Sequence, residues 1–119
     1  SKARSIQTAW RHATDRQGTL PIAEAREIVA NPGDCPYCNK PIPWREVSID
    51  HIQPRSKGGS SEKENLVFCD RRCNQAKGNL NGSEFRLLVG FLNVHPSMKD
   101  SVMSRLIAGG AAFGRRRRR

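Results

Sequence analysis

The chain has 119 residues, enough for one domain and not comfortably for two, and only 36% of them are hydrophobic. A core this small usually needs metal or disulfides to stabilise it, and the four cysteines could supply either. The formal net charge is +10, to which the terminal run Arg115–Arg119 contributes five positive charges. Both the basic body and the basic tail suit a polyanionic partner, and an ordinary basic surface is the alternative reading.

The sequence lacks the patterns of membrane insertion and of export. No stretch approaches the roughly 20 apolar residues that span a bilayer, so no membrane partner is predicted. The basic start, Ser1–Arg4, is not followed by an apolar signal segment. We therefore expect an intracellular protein in a reducing setting. Under reducing conditions, cysteine pairs bind metal more often than they form disulfides.

Two helices are predicted at the start of the chain. Apolar residues at helical spacing indicate the first over residues 4–16, ended by Gly18. Pro21 is well placed in a first helical turn, so the second helix is predicted from Pro21 to about Ala30. Residues 31–34, Asn-Pro-Gly-Asp, form a turn cluster that separates these helices from the rest.

The middle of the chain is predicted to be a short hairpin followed by a helix. Val47–Ile49 alternates like a strand that leads into Asp50-His51, and Leu66–Phe68 is a second short strand. A polar, glycine-containing loop over residues 54–61 lies between them. A short helix is predicted from Arg71 to Lys77, ended by Gly78.

The last third returns to helix. Ser83 is predicted to cap one helix and Pro96 to open another, which Gly109-Gly110 should end. The arginine run has nothing to bury, so we predict that it is disordered. The expected organisation is one domain over residues 1–119, with an N-terminal helical flank, a metal-bound core, a C-terminal helical flank and a basic tail: residues 1–32, 33–82, 83–114 and 115–119.

The cysteines fall into two close pairs. Cys35 and Cys38 are separated by two residues, and Cys69 and Cys73 by three. Two such pairs can place four thiolates in a tetrahedron around Zn²⁺, a closed shell that is typical of a structural site. Two disulfides or scattered buried thiols are the alternatives. The three-residue spacing of the second pair is less usual than two.

Several short elements follow one another between and after the first cysteine pair: Asp50-His51, Gly58-Gly59, Asn65-Leu66 and Cys73-Asn74-Gln75-Ala76-Lys77. With these elements the chain resembles the HNH endonuclease family over roughly residues 35–80. The resemblance implies the ββα-metal motif, a hairpin and a helix that hold one cation between them. It therefore implies an α+β fold: a small ββα-metal core, stapled by a four-cysteine zinc site and flanked by N- and C-terminal helices.

The same residues suit phosphodiester hydrolysis on chemical grounds. The imidazole of His51 is suited to take a proton from water near neutral pH, with a free pKa of ~6.5. Asp50 offers a hard carboxylate oxygen of the kind that Mg²⁺ or Mn²⁺ prefers, and Asn74 an amide oxygen. That catalytic cation would act as a Lewis acid. A structural histidine beside a turn is the alternative for His51.

The resemblance gives roles to further residues. Asn65 is expected to hold the loop that orients His51. The candidate nucleic-acid contacts are Lys77, Arg55 and Lys57. For each of them, ordinary solvated surface charge is the alternative interpretation. Asn74 stands where the family often has histidine, which should weaken nickel or zinc at this site relative to Mg²⁺ and Mn²⁺.

The sequence therefore predicts a metal-dependent DNA endonuclease. A zinc-stapled module that binds nucleic acid without cutting it is the main alternative, and it leaves Asp50-His51, Asn65 and Asn74 unexplained. A ribosomal-type zinc ribbon that binds RNA is a second alternative, and RNA stays open as the substrate. One cation site per chain cuts one strand at a time, so cleavage of both strands needs a homodimer or two visits.

Deleting Arg115–Arg119 should weaken DNA binding and flatten its dependence on salt, because fewer counterions are released, while cleavage chemistry stays intact. The measurement is the dissociation constant at several salt concentrations, for the native and the truncated chain. An unchanged salt slope would show that the tail has no such role.

Overall fold

The computed structural model describes the backbone of residues 1–116 and the side chains of residues 1–109. Two helices precede a two-stranded antiparallel sheet, and three helices follow it. The elements are α1 (Lys2–Ala13), α2 (Ile22–Ala30), β1 (Val47–His51), β2 (Leu66–Asp70), α3 (Arg71–Lys77), α4 (Gly82–Val94) and α5 (Pro96–Arg116). The predicted α+β class, with a small hairpin and a helix at its centre, is confirmed.

The register of the sheet decides which side chains meet which helix. Ile49 pairs with Phe68, and Asp50 pairs with Val67. Because side chains alternate along a strand, Ile49 and Phe68 share one face while Asp50 lies on the other. Trp10 of α1 stacks on Phe68, with ring centroids 5.8 Å apart. The sheet therefore lies between α1 on one face and α3 on the other, and β1 presents side chains to both.

One apolar core joins the sheet to the helices around it. Phe85 of α4 has no exposed surface and packs its ring edge against Tyr37 at 5.5 Å. Fully burying a residue of this size contributes roughly 1.5–3 kcal/mol. The other members come from every part of the chain, including Ile6, Ala25, Ile42, Val47, Ala76, Val89, Leu92 and Met103. The flanking helices thus complete the core around the hairpin.

The first helix ends earlier than predicted, at Ala13 instead of residue 16. The hydroxyl of Thr14 bonds to the carbonyl of Trp10 at 2.9 Å, which satisfies one carbonyl of the last turn. Asp15 and Arg16 then take positive φ values of 54° and 67°, so the chain leaves the helical path there. Asp is among the residues that tolerate this conformation.

The cap of α4 is Asn81, and the prediction of Ser83 was wrong. The Oδ1 of Asn81 accepts a hydrogen bond from the Glu84 N–H at 2.9 Å. In return, the Asn81 N–H donates to the Oε1 of Glu84 at 2.8 Å. Both bonds make a capping box, and together they satisfy two backbone donors. The sequence contains this box as Asn-x-x-Glu, two residues before the serine.

The last helix continues through Gly109-Gly110, where its end was predicted. The backbone of α5 is helical to Arg116. Glycine inside a helix costs about 1 kcal/mol relative to alanine, which weakens a helix without ending it. Arg115 and Arg116 therefore lie in α5 instead of a disordered tail, and the rest of the arginine run falls outside the described residues.

Among the described residues, no helix combines the length and the apolar character that crossing a bilayer requires.

Replacing Asn81 with alanine should lower the free energy of unfolding by about 0.5–2 kcal/mol, because it removes the side-chain acceptor at the N-terminus of α4. Urea denaturation measures the change. Ser83→Ala, two residues away and exposed, is the matched control and should change stability by less than about 0.5 kcal/mol. Equal losses in both variants would argue against Asn81 as the cap.

Candidate active site and metal centre

A tight turn presents the first cysteine pair. Gly33 and Asn39 take positive φ values of 75° and 61°, which allows the chain to reverse on both sides of the pair. The N–H of Cys35 bonds to the Lys40 carbonyl at 2.8 Å, and the Asn39 N–H bonds back to the Cys35 carbonyl at 2.8 Å. These two bonds hold the backbone of the turn around the cysteine pair.

Three cysteine sulfurs gather at this turn. The Sγ atoms of Cys35, Cys38 and Cys73 all lie within 4.8 Å of one another. A tetrahedral ion bound by thiolates at ~2.3 Å holds its sulfurs about 3.8 Å apart, so the three thiols fit such a shell with small movements. We refer to Cys35, Cys38 and Cys73 as the cysteine cluster.

Cys69 lies outside the cysteine cluster, so the structure brings together three of the four sulfurs predicted for the zinc shell. It sits within β2, paired with Ser48, so its side chain shares the face of the sheet that carries Asp50. Three residues separate Cys69 from Cys73, and the first of them, Asp70, is the one that contacts the cysteine cluster. The Asp70 N–H donates to the Cys35 Sγ at 3.5 Å. The buried Cys69 thiol has its pKa raised, chiefly by burial.

Electrostatics within the cluster favour one thiolate. A hydrogen bond from the Cys73 thiol lowers the pKa of Cys35 to about 5, against the opposing effect of burial. The pKa of Cys73 is raised, chiefly because its proton is held in that bond to Cys35. The pKa of Cys38 is also raised, chiefly by burial. A bound cation would reverse both rises, since positive charge stabilises every thiolate around it.

Asp50 is the centre of a buried polar group. Its Oδ2 accepts a hydrogen bond of 2.6 Å from the Tyr37 hydroxyl and lies 3.1 Å from the ammonium of Lys77. Lys77 is 1% exposed and also donates to the His51 carbonyl at 3.0 Å. Burial, and then the bond to Asp50, raise the pKa of Tyr37, so the phenol remains a donor. Each buried charge in this group is paired.

The side chain of Asn65 joins the two ends of the loop that follows β1. The side chain of Asn65 accepts from the Gln53 N–H at 2.9 Å and donates to the carbonyls of Gln53 at 3.0 Å and Ser60 at 2.7 Å. Gly59 passes so close that a Cβ there would lie 1.8 Å from the Gln53 carbonyl oxygen. Only glycine fits at that point. Asn65 therefore holds the two ends of the loop together.

His51 meets the end of α1. Its Nε2 lies 3.0 Å from the Ala13 carbonyl and 3.1 Å from the Nε of Arg55. Nε2 can donate to the carbonyl or accept from the guanidinium, and the tautomer decides which. Arg55 is held in turn by an ion pair of 2.8 Å with Asp15 and by bonds to the carbonyls of His12 and Ala13. The two contacts of His51, with the Ala13 carbonyl and with Arg55, are both made at the same ring nitrogen, Nε2.

Asn74 is bound to β1 through its amide nitrogen. Nδ2 donates to the Ser48 hydroxyl at 2.8 Å and to the Ile49 carbonyl at 3.2 Å. Because a carbonyl can only accept, the nitrogen must face it and the side-chain oxygen must point elsewhere. Within the part of the chain that the structure describes, no group donates to that oxygen.

Asp50 and His51 line the same cleft, of about 290 Å³, together with Lys77, Arg55 and residues of the neighbouring loops. Asn65 and Asn74 do not line it. A larger cleft, of about 480 Å³, lies beside α1 between Trp10 and Lys63 and contains none of the predicted catalytic residues. We therefore place the candidate active site at the smaller cleft.

The three predicted nucleic-acid contacts differ in their surroundings. Lys77 is buried against Asp50, so its ammonium is not presented at the surface. Arg55 is engaged by Asp15 and by carbonyls of α1. Lys57 remains half exposed, in an ion pair of 3.5 Å with Glu84. Of the three, Lys57 is the most available to a phosphate.

Residues 35–80 match the family model described as HNH endonuclease. The predicted resemblance is confirmed for this segment, and it supports a nuclease. A relative that the chain matches is the CRISPR-associated endonuclease Cas9 of Corynebacterium diphtheriae, 48% identical over 46 residues. The match covers 38% of this chain and about 4% of the length of that relative.

Three groups at the site were not predicted from the sequence: Tyr37, Ser48 and the Ala13 carbonyl. Tyr37 lies between the cysteines of the first pair, and nothing in that pattern indicates a bond to Asp50, 13 residues away. The Ala13 carbonyl is a backbone group, and no side-chain pattern indicates it. Only Ser48, two residues before Asp50 on the same strand face, could have been found from the alternation of β1.

Replacing Lys77 with methionine should destabilise the fold by about 3–5 kcal/mol, because Asp50 would be buried without its counter-charge. Lys57→Met is the matched control: it breaks an exposed ion pair and should cost about 0.2–1 kcal/mol. Urea denaturation of both variants measures the difference. Similar small losses in the two variants would contradict a buried, paired Lys77.

Proposed function

We propose that this protein is a metal-dependent DNA endonuclease that hydrolyses phosphodiester bonds with His51 as general base and one divalent cation. The observation that carries the proposal is the cleft: Asp50 and His51 are consecutive residues at the end of β1 and both line it. They lie in the segment that matches the HNH endonuclease model. A carboxylate and an imidazole at one opening are the groups that metal-assisted hydrolysis requires.

His51 is proposed to take the proton of the attacking water through Nδ1. Its Nε2 is already engaged by the Ala13 carbonyl and Arg55, and in the described residues no group bonds to Nδ1. A bond from Nε2–H to the carbonyl would leave Nδ1 unprotonated and able to accept a proton. Asn65 would support this geometry by closing the loop that carries Arg55.

The cation is proposed to bind between β1 and α3, held by Asp50, which lines the cleft, and by the side-chain oxygen of Asn74, which lies outside the cleft lining. Both donors are hard oxygens, which fits Mg²⁺ or Mn²⁺ better than softer ions. The ion would supply Lewis-acid stabilisation of the charge that develops on the phosphate. The bonds of the Asn74 nitrogen to Ser48 and Ile49 support the assignment of its oxygen as the ligand atom.

The cysteine cluster is proposed to hold a structural zinc ion. Three thiols form a soft donor set that suits zinc and does not suit Mg²⁺. Cys35 and Cys38 precede the hairpin and Cys73 follows it, so the ion would fasten the two ends of the core. We treat residues 1–119 as one domain, because α1 supplies part of the surroundings of His51.

DNA is the proposed partner, and the relative's name, an endonuclease of a CRISPR system, agrees with a nuclease acting on nucleic acid. Lys57 would contact the backbone phosphates. A single catalytic cleft cuts one strand at a time, so cleavage of both strands would require a dimer of this chain or two successive events.

His51→Ala should abolish cleavage of supercoiled plasmid in Mg²⁺ or Mn²⁺ while leaving the fold intact. The assay follows conversion to open-circle and linear forms, after zinc content and thermal unfolding are shown to match the native protein. His95→Ala, at an exposed position beside Phe91, is the matched control and should cut normally.

Two other outcomes would count against the proposal. If neither native protein nor control cuts DNA but both retard it, the chain is a zinc-stapled binding module. If folded His51→Ala cuts as fast as the native protein, His51 is not the base. Parallel reactions with a single-stranded RNA distinguish the two substrates.

A further inference from the structure

Tyr37 has no role in the proposed chemistry, yet it makes the shortest hydrogen bond to Asp50. Its side chain is 3% exposed, and its hydroxyl donates to Oδ2 at 2.6 Å. A hydrogen bond of this length to a charged oxygen is of the strong, charge-assisted kind. Tyr37 also lies between two members of the cysteine cluster, Cys35 and Cys38, in sequence. Tyr37 therefore connects the cysteine cluster with the proposed cation site at Asp50.

The two oxygens of Asp50 have different surroundings. Oδ2 receives both the Tyr37 hydroxyl and the nearer contact of Lys77, at 3.1 Å. Oδ1 has only a longer contact to Lys77, at 3.5 Å. A carboxylate rotates about its last bond unless it is held. Two donors on Oδ2 hold the Asp50 carboxylate, and this determines which oxygen stays available to another ligand. The oxygen left over is Oδ1.

We propose that Tyr37 is a positioning residue, which holds Asp50 by Oδ2 so that Oδ1 is offered to the divalent cation. This inference rests on the proposed function, because it takes Asp50 as a ligand of that cation. It also makes the cysteine cluster part of catalysis: the turn that the cluster organises carries the hydroxyl that orients the ligand. Loss of the cluster would weaken cation binding at a cleft to which no cysteine contributes.

The packing around Tyr37 fits a fixed hydroxyl. Its ring meets the edge of Phe85, a side chain with no exposed surface. Gly82 of α4 lies beside the same ring, and a side chain at that position would meet the ring at 3.6 Å. The phenol is therefore held at both its ring and its oxygen. Groups that orient a metal ligand typically change metal affinity 10–100-fold when they are removed.

The test measures Mn²⁺ binding directly, by the electron paramagnetic resonance of the free ion, without DNA and without cleavage. Tyr37→Phe should weaken binding roughly tenfold or more. Phe85→Leu is the matched control, because it loosens the packing around the ring and leaves the hydroxyl in place. It should lower the melting temperature and change Mn²⁺ affinity less than about twofold. Zinc content is measured for every variant.

Asp50→Asn separates the inference from the proposed function. If Asp50→Asn loses Mn²⁺ and Tyr37→Phe binds it as the native chain does, the positioning role of Tyr37 is overturned while the cation site stands. If Asp50→Asn binds Mn²⁺ normally, Asp50 is not the ligand, and the proposed cation site fails together with the inference. If Phe85→Leu weakens binding as much as Tyr37→Phe, packing is responsible and the hydroxyl is not.

A second measurement covers the case in which Tyr37→Phe does not fold. Tyr37 is the single tyrosine of the chain, so growth on 3-fluorotyrosine places one fluorine label at this position. The fluorine resonance of the native chain should shift when Mg²⁺ is added, and should not shift in Asp50→Asn. A resonance that stays in place at Mg²⁺ concentrations that saturate binding would overturn the inference.

Discussion

The ion pair between Asp50 and Lys77 is the contact around which the core of this protein is arranged. Removing two charges from water costs several kcal/mol for each, and that cost is recovered only with close pairing and further hydrogen bonds. The Tyr37 hydroxyl and the His51 carbonyl supply those bonds. Asp50 comes from β1, Lys77 from the end of α3 and Tyr37 from the turn between the first cysteines. The pair can therefore form only when all three are in place, which favours one arrangement of hairpin, helix and turn.

Much of this arrangement could be predicted because its signals are local. The alternation after Val47, the apolar run at Leu66 and the stop at Gly78 each depend on a few neighbouring residues, and the predicted strands and short helix lie where the structure has them. The predictions went wrong where two local signals compete. Ser83 and Asn81 are both good caps, and only the partner at Glu84 decides between them. The glycine pair in α5 indicates the end of a helix, yet glycine alone does not end one.

The surroundings of the site residues were harder to predict, because they depend on distant parts of the chain. Lys77 carries a charge in a basic sequence, and a surface role was the natural expectation. Its burial follows from Asp50, 27 residues earlier in the chain. The separation of Cys69 from the other cysteines follows from its place in a strand, where pairing with Ser48 fixes the direction of its side chain. The spacing of cysteines in the sequence carries no information about that direction.

The contact between His51 and the carbonyl of Ala13 has a consequence for how this core can be reused. The segment that matches the HNH family begins at residue 35, whereas Ala13 belongs to α1 and lies well before it. A graft of the family segment onto another scaffold would carry the imidazole, the carboxylate and the cysteines, but would leave behind the group that meets Nε2 and the aspartate that anchors Arg55. In this protein the portable unit is therefore larger than the motif, and it includes the end of the first helix.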